Sequence, residues 1–498
     1  MDLKRRNTNK MTCTLKPFHL IHELGGTYVL NVQDLRINVV DDQTLGTLER
    51  VLTTPDQGLE SSEQRDLDRL GLIAPQEDSR SELSQEKNVD LIPVTSMSLL
   101  LTEACNLKCV YCYCGSGNRK AEGRMTEATA YRALDWLLEN SLASREIYVN
   151  FCGGEPFLAF PTMRKSVKYV RRKCLESGKK VRFHTTSNGT LLDEEKIDFI
   201  AEHAMAMRIS IDGPREVHDG HRRFSGGGGS YDTIIENCRK LLEINPDVEA
   251  HAVLVEGSPL AIKEALLAIG FKQVSVRVRS DSLLGGRSGG RIPPTREIGR
   301  ILEDLEREAY LWLRHTGERN SQALKELKPK SQLVNAMISL LQNSKRHHGC
   351  VAGFGFFAVS CDGSVYPCHR FVDAPEYRLG SIFGGKLERR TYLRPVELVE
   401  ACAECFARYY CGGGCKYDNA ASGGDIFSPA ADICQLRRRE LEFAASVVGN
   451  LGDEELKYLI ELDILPVNPL FLTIGLWDGI KSALDLLGGR GHMHQAKI

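Results

Sequence analysis

The chain has 498 residues, 42% hydrophobic and 26% charged, with a formal net charge of −2; this length predicts about two to four domains, and the near-neutral charge gives no electrostatic reason to expect a nucleic-acid partner. No run of about 18 consecutive apolar residues predicts a membrane span, and the basic start MDLKRRNTNKMT is not followed by the apolar segment of a secretory signal. Sixteen cysteines without an export signal therefore indicate a reducing cytoplasm, where clustered thiols serve metals or redox chemistry more often than disulfides.

Residues 1–90 form the first predicted unit. The segments FHLIHELGGTYVLNV and LRINVV favour a hairpin or three short strands around Gly25 and Gly26. The segments DDQTLGTLERVLTT and SSEQRDLDRLGLI favour two short amphipathic helices, and residues 76–87 form a polar linker. Strands followed by helices predict a small winged-helix-like domain, either for binding a peptide or as a purely structural appendage.

Residues 91–285 repeat a pattern in which a short apolar strand is followed by a loop and then a helix. Six segments have the composition of buried strands: SMSLLLTE, EIYVNF, VRFHTTS, MRISID, VEAHAVLVE and KQVSVRVRS. Helix-periodic runs such as MTEATAYRALDWLLENS separate them. This alternation predicts an α/β fold with a parallel sheet, a partial (β/α)6 barrel rather than the eight units of a full one. Chemistry in such folds gathers in the loops after the strands.

The run CNLKCVYCYC, Cys105 to Cys114, directly follows the first of these strands. Its spacing is Cys105-x3-Cys109-x2-Cys112, with Tyr111 before the third cysteine. Three thiolates hold three irons of a cubane cluster and leave the fourth iron open, whereas four thiolates suit plain electron transfer. We predict Cys114 to be a non-ligand, because ligation so close to Cys112 strains the loop. A zinc site or a disulfide cluster is the alternative.

This motif, after the first strand of a six-fold βα array, resembles that of the radical S-adenosylmethionine (radical SAM) superfamily. The resemblance implies that the open iron binds SAM and that SAM is cleaved to methionine and a 5′-deoxyadenosyl radical, which abstracts hydrogen from a C–H bond. It also implies a flavodoxin- or ferredoxin-type electron donor.

Four further segments resemble family motifs in the expected order: GGEP after the second strand, TTSNGTLL at the third, ISIDGP at the fourth, and EVHDGHRRF after it. By this resemblance Arg222 contacts the SAM carboxylate and Ser210 the ribose. His218 and His221 are interpreted as ordinary surface or helix-cap residues. The resemblance implies these SAM-binding residues: Tyr111, Gly153, Gly154, Glu155, Ser187, Asn188, Ser210 and Arg222.

Residues 286–345, opened by SGGRIPPT, are predicted to form a helical bridge. Residues 346–440 hold a second cysteine system whose C-x2-C pair alone would also suit a zinc ribbon. The spacing resembles that of SPASM domains, which carry two auxiliary [4Fe–4S] clusters. The resemblance implies three [4Fe–4S] clusters in all, two of them auxiliary. The ligands of the first auxiliary cluster would be Cys350, Cys368 and Cys415, and those of the second would be Cys402, Cys405, Cys411 and Cys434.

Cys361 lies in FFAVSCDGSVYPCH, which predicts two strands around a CDGS turn. At the tip of such a hairpin Cys361 points away from Cys368, so we predict it to be a non-ligand. The first auxiliary cluster then has an open iron that can take a substrate thiolate. Residues 441–498 form a C-terminal helical extension, with LFLTIGLW as a packed helix or docking surface.

Residues 1–90 resemble the domain that many peptide-modifying enzymes use to bind a leader sequence as an added β-strand. The chain as a whole thus resembles radical SAM maturases of ribosomally made peptides that carry a SPASM domain and a leader-recognition domain. The leading hypothesis is therefore a peptide maturase that forms a cysteine thioether in a small precursor peptide containing cysteine. Carbon–carbon crosslinking is the first alternative. Formylglycine formation in sulfatases is the second, although His369 stands where sulfatase maturases carry an Asp. An iron–sulfur electron carrier or a zinc scaffold is the non-enzyme alternative. The sequence assigns no catalytic acid or base.

Overall fold

The computed structural model describes residues 15–54, 58–74, 89–112, 123–255, 257–278, 298–372 and 374–465. The predicted linker at residues 76–87, Cys114, the segment 288–295 and the apolar run at residues 470–477 lie outside these ranges.

The N-terminal unit is an antiparallel sheet followed by two helices, in the predicted order. Leu24 and Gly25 link the first two strands, both with positive φ, as a two-residue hairpin turn requires. Val29, Leu48 and Leu67 are central to a small core of this unit. Its elements are β1 (Phe18–Glu23), β2 (Gly26–Asn31), β3 (Arg36–Val39), α1 (Asp42–Thr53) and α2 (Ser61–Arg69).

Six consecutive parallel strands form the larger part of the central sheet, so the predicted βα array is confirmed. Their spatial order is β11-β10-β8-β7-β6-β4, with helices in the connections. The strands are β4 (Ser96–Thr102), β6 (Glu146–Gly153), β7 (Lys180–Ser187), β8 (Ala206–Ser210), β10 (Glu249–Leu254) and β11 (Gln273–Val278). The helices are α3 (Glu127–Asn140), α4 (Phe160–Glu176), α5 (Glu194–Glu202), α6 (Arg215–His221), α7 (Tyr231–Ile244) and α8 (Pro259–Ile269).

In β4, every residue except the first is buried. This is the burial expected for an interior parallel strand covered on both faces, and it explains the unbroken apolar run SMSLLL. Two short strands pair as a separate antiparallel ribbon: β5 (Leu107–Cys109), which follows β4 in the chain, and β9 (Arg222–Phe224), which follows α6.

The predicted CDGS hairpin is present, but it also extends the central sheet. β12 (Phe356–Val359) pairs in parallel with β4, and β13 (Ser364–Tyr366) and β14 (Gly380–Ser381) follow as antiparallel strands. Among the residues that the structure describes, the sheet therefore has nine strands, and part of the cysteine-rich region belongs to it.

Helices make up the rest of the described C-terminal half. The predicted domain boundary at residues 440/441 falls inside one continuous helix, α15. None of the helices in the described ranges is long and apolar enough to cross a membrane. The elements are α9 (Ile298–Gly317), α10 (Ser321–Leu327), α11 (Gln332–Leu341), α12 (Glu400–Ala403), α13 (Arg408–Cys411), α14 (Lys416–Gly423), α15 (Ala431–Asn450) and α16 (Asp453–Glu461).

The N-terminal sheet packs on α15. Tyr28 of β2 is 2% exposed, and its hydroxyl accepts a hydrogen bond of 2.5 Å from Asn450 Nδ2. The His19 ring stacks on Phe406, with 3.6 Å between centroids, and its Nε2 lies 3.0 Å from Glu442 Oε1. The N-terminal unit is thus fixed to the cysteine-rich half.

Candidate active site

The first cysteine motif lies in the loop that leaves the C-terminal end of β4. Cys105 keeps solvent-accessible surface, yet the protein atoms around its sulfur desolvate it and raise the pKa of the thiol to about 12. The nearby thiols of Cys109 and Cys112 add to this rise, so the three sulfurs share one neighbourhood. The Leu107 N–H donates to Cys105 Sγ at 3.4 Å. The structure therefore brings together the three cysteines predicted for the SAM-binding cluster.

The β5–β9 ribbon holds this loop against the segment predicted to bind the SAM carboxylate. Cys109 and Arg222 are direct partners in its register. Arg222 Nη1 lies 4.0 Å from Cys109 Sγ, and the Arg222 guanidinium lies over the Tyr111 ring, 5.2 Å from its centroid. The β5–β9 ribbon has no recognisable signature in the sequence, because each of its strands has only three residues.

Asp212, to which the sequence analysis gave no role, organises this group. Its side chain is fully buried and forms an ion pair of 3.0 Å with Arg222 Nε. It also accepts hydrogen bonds from the Tyr111 hydroxyl and from the Val253 N–H, the latter at 3.0 Å. Burial alone would raise the pKa of Asp212, but Arg222 and these donors lower it, so the carboxylate is charged. Asp212 thus fixes Arg222 and Tyr111 beside Cys109.

His218 is not a surface residue, contrary to the prediction. It is fully buried, and its Nδ1 lies 3.3 Å from the Asp212 backbone nitrogen while its Nε2 lies 3.0 Å from Ser230 Oγ. His218 belongs to α6, and this helix therefore packs with His218 against the Asp212 backbone. His221, at the end of α6, is partly buried.

The GGEP turn packs directly on the backbone that precedes Cys105. The Gly154 N–H donates to the Thr102 carbonyl at 2.8 Å, and the Glu155 N–H donates to the Ala104 carbonyl at 2.9 Å. Gly153 has a φ of +150°, and a β carbon on it would lie 2.3 Å from the Thr102 oxygen. Both glycines are therefore required for a close approach of β6 to the cysteine loop.

Glu155 links this turn to the end of β7. Its carboxylate is fully buried and accepts hydrogen bonds from Ser187 Oγ at 2.9 Å, the Asn188 N–H at 2.8 Å and the Phe157 N–H at 3.2 Å. Burial raises its pKa to about 7 against the effect of these donors. The carboxylate thus supports the SNG segment, and direct contact with SAM stays a prediction.

Asn188 lies close to the cysteine loop. Its Nδ2 is 3.8 Å from Cys105 Sγ and donates to Asn106 Oδ1 at 2.9 Å. Ser210 ends β8, on the same sheet edge, and pairs in register with His251 of β10. The eight residues predicted to bind SAM thus lie on the loops and strand ends around one edge of the sheet, as their order in the sequence predicted.

The cysteines of the C-terminal half separate into the two predicted groups. Desolvation raises the pKa of the Cys368 thiol to about 12, and the thiols of Cys415 and Cys350 add to the rise. Desolvation likewise raises the pKa of Cys402 to about 12, with added effects of three neighbouring thiols. Those three neighbours are Cys411, Cys405 and Cys434.

Basic side chains face the first of these groups. Arg277 Nη2 and Arg370 Nη1 each lie 3.8 Å from Cys415 Sγ, and both also bind the Asp418 carboxylate. The Cys361 thiol donates to the Leu100 carbonyl of β4 at 3.2 Å, and its role as a non-ligand stays a prediction.

Within the described residues, no group of three or more His, Cys, Asp or Glu side chains is arranged to hold a single metal ion. A four-iron cluster holds its thiolates further apart than one ion does, and thiolates are its usual ligands. All-thiol sets of three, three and four cysteines fit such clusters in donor chemistry.

Comparison with known proteins identifies the central domain. Residues 99–266, from β4 into α8, match the sequence model of the Radical SAM superfamily. The chain contains a radical SAM domain. Membership in this superfamily implies SAM and an iron–sulfur cluster as cofactors, which agrees with the three-thiol motif at the end of β4.

The sequence similarity to two relatives extends beyond that domain. An uncharacterized protein of Archaeoglobus fulgidus is 25% identical over 369 residues, covering 71% of this chain and 81% of the relative. A cysteine-type anaerobic sulfatase-maturating enzyme of Clostridium perfringens is 25% identical over 347 residues, covering 64% and 89% respectively.

Among solved structures, one described as native anSMEcpe with bound AdoMet superposes with a TM-score of 0.58. It is 21% identical in sequence, and the match covers 71% of this chain and 99% of that structure. This similarity shows that the two proteins share a fold over most of this chain.

Proposed function

We propose that this radical SAM enzyme matures a ribosomally made precursor peptide, with a cysteine thioether as the bond formed. The observation that carries the proposal is a cavity of about 580 Å³ between the core strands and the C-terminal half. His251 and Arg277 of the core line it together with Cys350 and Cys415. A peptide group in this cavity therefore lies between the radical SAM core and the first auxiliary thiol group.

Three [4Fe–4S] clusters belong to the proposal. Cys105, Cys109 and Cys112 would hold the SAM-binding cluster, and the two C-terminal groups would hold auxiliary clusters. Bound SAM and its cluster supply a 5′-deoxyadenosyl radical that takes hydrogen from a peptide C–H bond. An open position beside Cys350, Cys368 and Cys415 suits a peptide thiolate, because metal binding favours the deprotonated thiol. A flavodoxin- or ferredoxin-type donor would supply electrons.

The metal content tests the cluster assignment directly. Anaerobically purified enzyme should contain about twelve irons per chain, and replacement of Cys105, Cys109 and Cys112 by alanine should remove about four. The triple variant should form no 5′-deoxyadenosine, whereas Cys114→Ala should keep its iron. Stoichiometric zinc, or SAM cleavage by the triple variant, would contradict the assignment.

The bond is tested by co-expression with small cysteine-containing peptides encoded beside the enzyme's gene, followed by mass spectrometry. A thioether removes two mass units and one alkylatable thiol per link. The same loss with every thiol still alkylatable would indicate a carbon–carbon crosslink instead.

Formylglycine formation is the second candidate, because the relative in Clostridium perfringens is named a sulfatase-maturating enzyme. His369 follows Cys368 where such enzymes typically carry an Asp, which disfavours this candidate. Modification of a sulfatase-type peptide to a product that reacts with a hydrazide would establish it.

The N-terminal sheet is the proposed binding site for the leader segment of the precursor. β3 is an edge strand, and Val39 on it is 64% exposed. The Val40 N–H donates inward to the Thr27 carbonyl, so the alternation of an antiparallel pair directs the Val39 N–H outward. A leader that adds as a strand to this edge would pair with these outward groups.

Val39→Pro tests this pairing, because proline removes the outward donor while leaving the inward bonds to β2 in place. Val39→Thr is the matched control, since it keeps the N–H and the β-branched shape. Precursor affinity should fall at least tenfold in Val39→Pro and stay near wild type in Val39→Thr. Equal affinity in both variants would refute this edge as the leader site.

A further inference from the structure

Two arginines from different halves of the protein meet at the sulfur of Cys415. Arg277 belongs to β11 of the core, and Arg370 lies two residues after Cys368 in the cysteine-rich half. Each guanidinium lies 3.8 Å from Cys415 Sγ, Arg277 through Nη2 and Arg370 through Nη1. The core and the cysteine-rich half therefore both bring positive charge to this one thiol.

Asp418 holds the two guanidinium groups in place. Its Oδ2 accepts from Arg277 Nη2 at 2.7 Å, and its Oδ1 accepts from Arg370 Nη1. The Arg370 guanidinium also lies over the buried Tyr417 ring, 3.9 Å from the ring centroid. α14 begins directly after Cys415 and carries Asp418, so one helical turn fixes the carboxylate, and with it both arginines, relative to the thiol.

The charges around Cys415 favour a reduced iron–sulfur group there. Arginine stays protonated at every accessible pH, so two positive charges and the one negative charge of Asp418 leave a net charge of about +1 beside the sulfur. Arg370 and Asp418 are shielded from solvent, with side chains 11% and 12% exposed, whereas Arg277 is 42% exposed and lines the cavity. Net charge and hydrogen bonds to the sulfurs set the reduction potential of iron–sulfur clusters, and both act here in the direction of a higher potential.

The thioether step proposed above needs such an effect. A hydrogen atom leaves a peptide C–H bond for the adenosyl radical, and the peptide thiol gives its proton to solvent. When the carbon radical and the thiolate then join in a C–S bond, one electron is left over and must pass to the iron–sulfur group that holds the thiolate. That thiolate adds a negative charge to those of Cys350, Cys368 and Cys415, which lowers the potential at the moment when an electron has to be accepted.

We propose that Arg277 and Arg370 raise the reduction potential of the first auxiliary cluster, so that it accepts the electron that the peptide loses; this inference rests on the three-cluster peptide maturase proposed above. Both arginines are positioning residues that act through Cys415. The thiols of the second auxiliary group face Arg437 and Arg438 instead, so this group serves as an internal reference.

Potentiometric titration followed by EPR spectroscopy tests the proposal. The full-length chain without the three cysteines of the SAM-binding motif is used, so that only the auxiliary clusters give signals, and the signal that is lost in Cys368→Ala identifies the first of them. Arg277→Gln and Arg370→Gln should each lower its equilibrium constant for reduction about tenfold, which is a midpoint shift of about 59 mV to lower potential. Arg277→Lys is the matched control, because it keeps the charge, and should shift the midpoint less than half as far. The midpoint of the second cluster should stay unchanged.

The role in the reaction is tested with the intact SAM-binding motif and the peptide that the co-expression screen identifies. The ratio of modified peptide to 5′-deoxyadenosine should fall in both Gln variants and stay near wild type in Arg277→Lys. A wild-type ratio in both Gln variants would overturn the assignment of this cluster as the electron acceptor.

Three results of the titration would overturn the inference and leave the proposed function standing. The first is an unchanged midpoint of the first cluster in both Gln variants with their iron content intact. The second is an equal shift in Arg277→Lys and Arg277→Gln, which would exclude charge as the cause. The third is loss of about four irons from both Gln variants, which would show that the arginines only hold the site together. Wild-type enzyme without auxiliary clusters would instead overturn the proposed function and this inference with it.

Discussion

Gly154→Ala is the sharpest test of how the GGEP turn supports the cysteine loop. A β carbon at this position would lie 2.2 Å from the Ala104 carbonyl oxygen and 2.7 Å from the Glu103 carbonyl oxygen. These contacts involve backbone atoms, so no side chain can rotate away. The turn must instead move away from the loop, and Ala104 directly precedes Cys105.

The cost can be estimated from the contacts that this movement breaks. The hydrogen bonds from Gly154 N–H to Thr102 and from Glu155 N–H to Ala104 contribute about 1 kcal/mol each. Overpacking adds about 1–3 kcal/mol. We therefore expect the free energy of unfolding to fall by about 3–5 kcal/mol. Because displacement of about 1 Å in a reactive site can cost 10²-fold in rate, we expect SAM cleavage to slow by about 10²-fold.

The assay is chemical denaturation of the anaerobic enzyme together with 5′-deoxyadenosine formation and iron content. Gly46→Ala is the matched control, because Gly46 lies in α1 and an alanine β carbon there would have no atom within 4 Å apart from its chain neighbours and the backbone of its own helix. This control should gain about 0.5–1 kcal/mol from helix propensity. If Gly154→Ala unfolds within about 1 kcal/mol of wild type and cleaves SAM at the wild-type rate, the packing account of this turn is wrong.

Three further predictions follow from buried contacts. Asp212→Asn leaves the Arg222 guanidinium buried without its partner and should cost about 3–5 kcal/mol in denaturation, whereas Asp232→Asn, in the exposed pair with Arg215, should cost less than about 1 kcal/mol. Glu155 has a pKa of about 7 in the folded state against an ordinary 4.5, so between these two pH values the folded state binds a proton that the unfolded state has lost. The free energy of unfolding should therefore decline by up to about 3 kcal/mol as the pH rises from 4.5 to 7. Glu155→Gln should remove this pH dependence. Gly449→Ala places a β carbon 2.4 Å from Tyr28 Cε1 and should speed hydrogen exchange in β1 and β2, with Gly46→Ala unchanged there; equal exchange in both would contradict the packing of the N-terminal sheet on α15.

The sequence predicted the six core strands and the cysteine groups because each has a local signature. Apolar runs such as SMSLLL mark buried strands, and cysteine spacing marks ligand groups. The β5–β9 ribbon and the pairing of β12 with β4 have no such signature, since they depend on which distant segments meet in space. The hairpin of β12 and β13 was predicted from its CDGS turn, but nothing in that turn indicates which strand the hairpin joins.

The functional residues divide in the same way. Gly153, Gly154 and the cysteines belong to motifs that can be recognised in one stretch of sequence. Asp212 was overlooked although it lies within ISIDGP, because its role depends on Arg222 and Tyr111 from other segments. His251 has no motif at all, and only the fold shows that it lines the cavity beside Cys350 and Cys415.

The pairing of β12 with β4 has a consequence for how this chain can be divided. β4 lies in the interior of the sheet only because β12 covers its free side. A fragment that ends before β12 would expose the backbone of the strand leading to Cys105, and an exposed apolar edge strand promotes aggregation. The radical SAM core and the cysteine-rich half therefore share one structural unit, and a boundary drawn from sequence similarity alone does not mark a place where the protein can be cut.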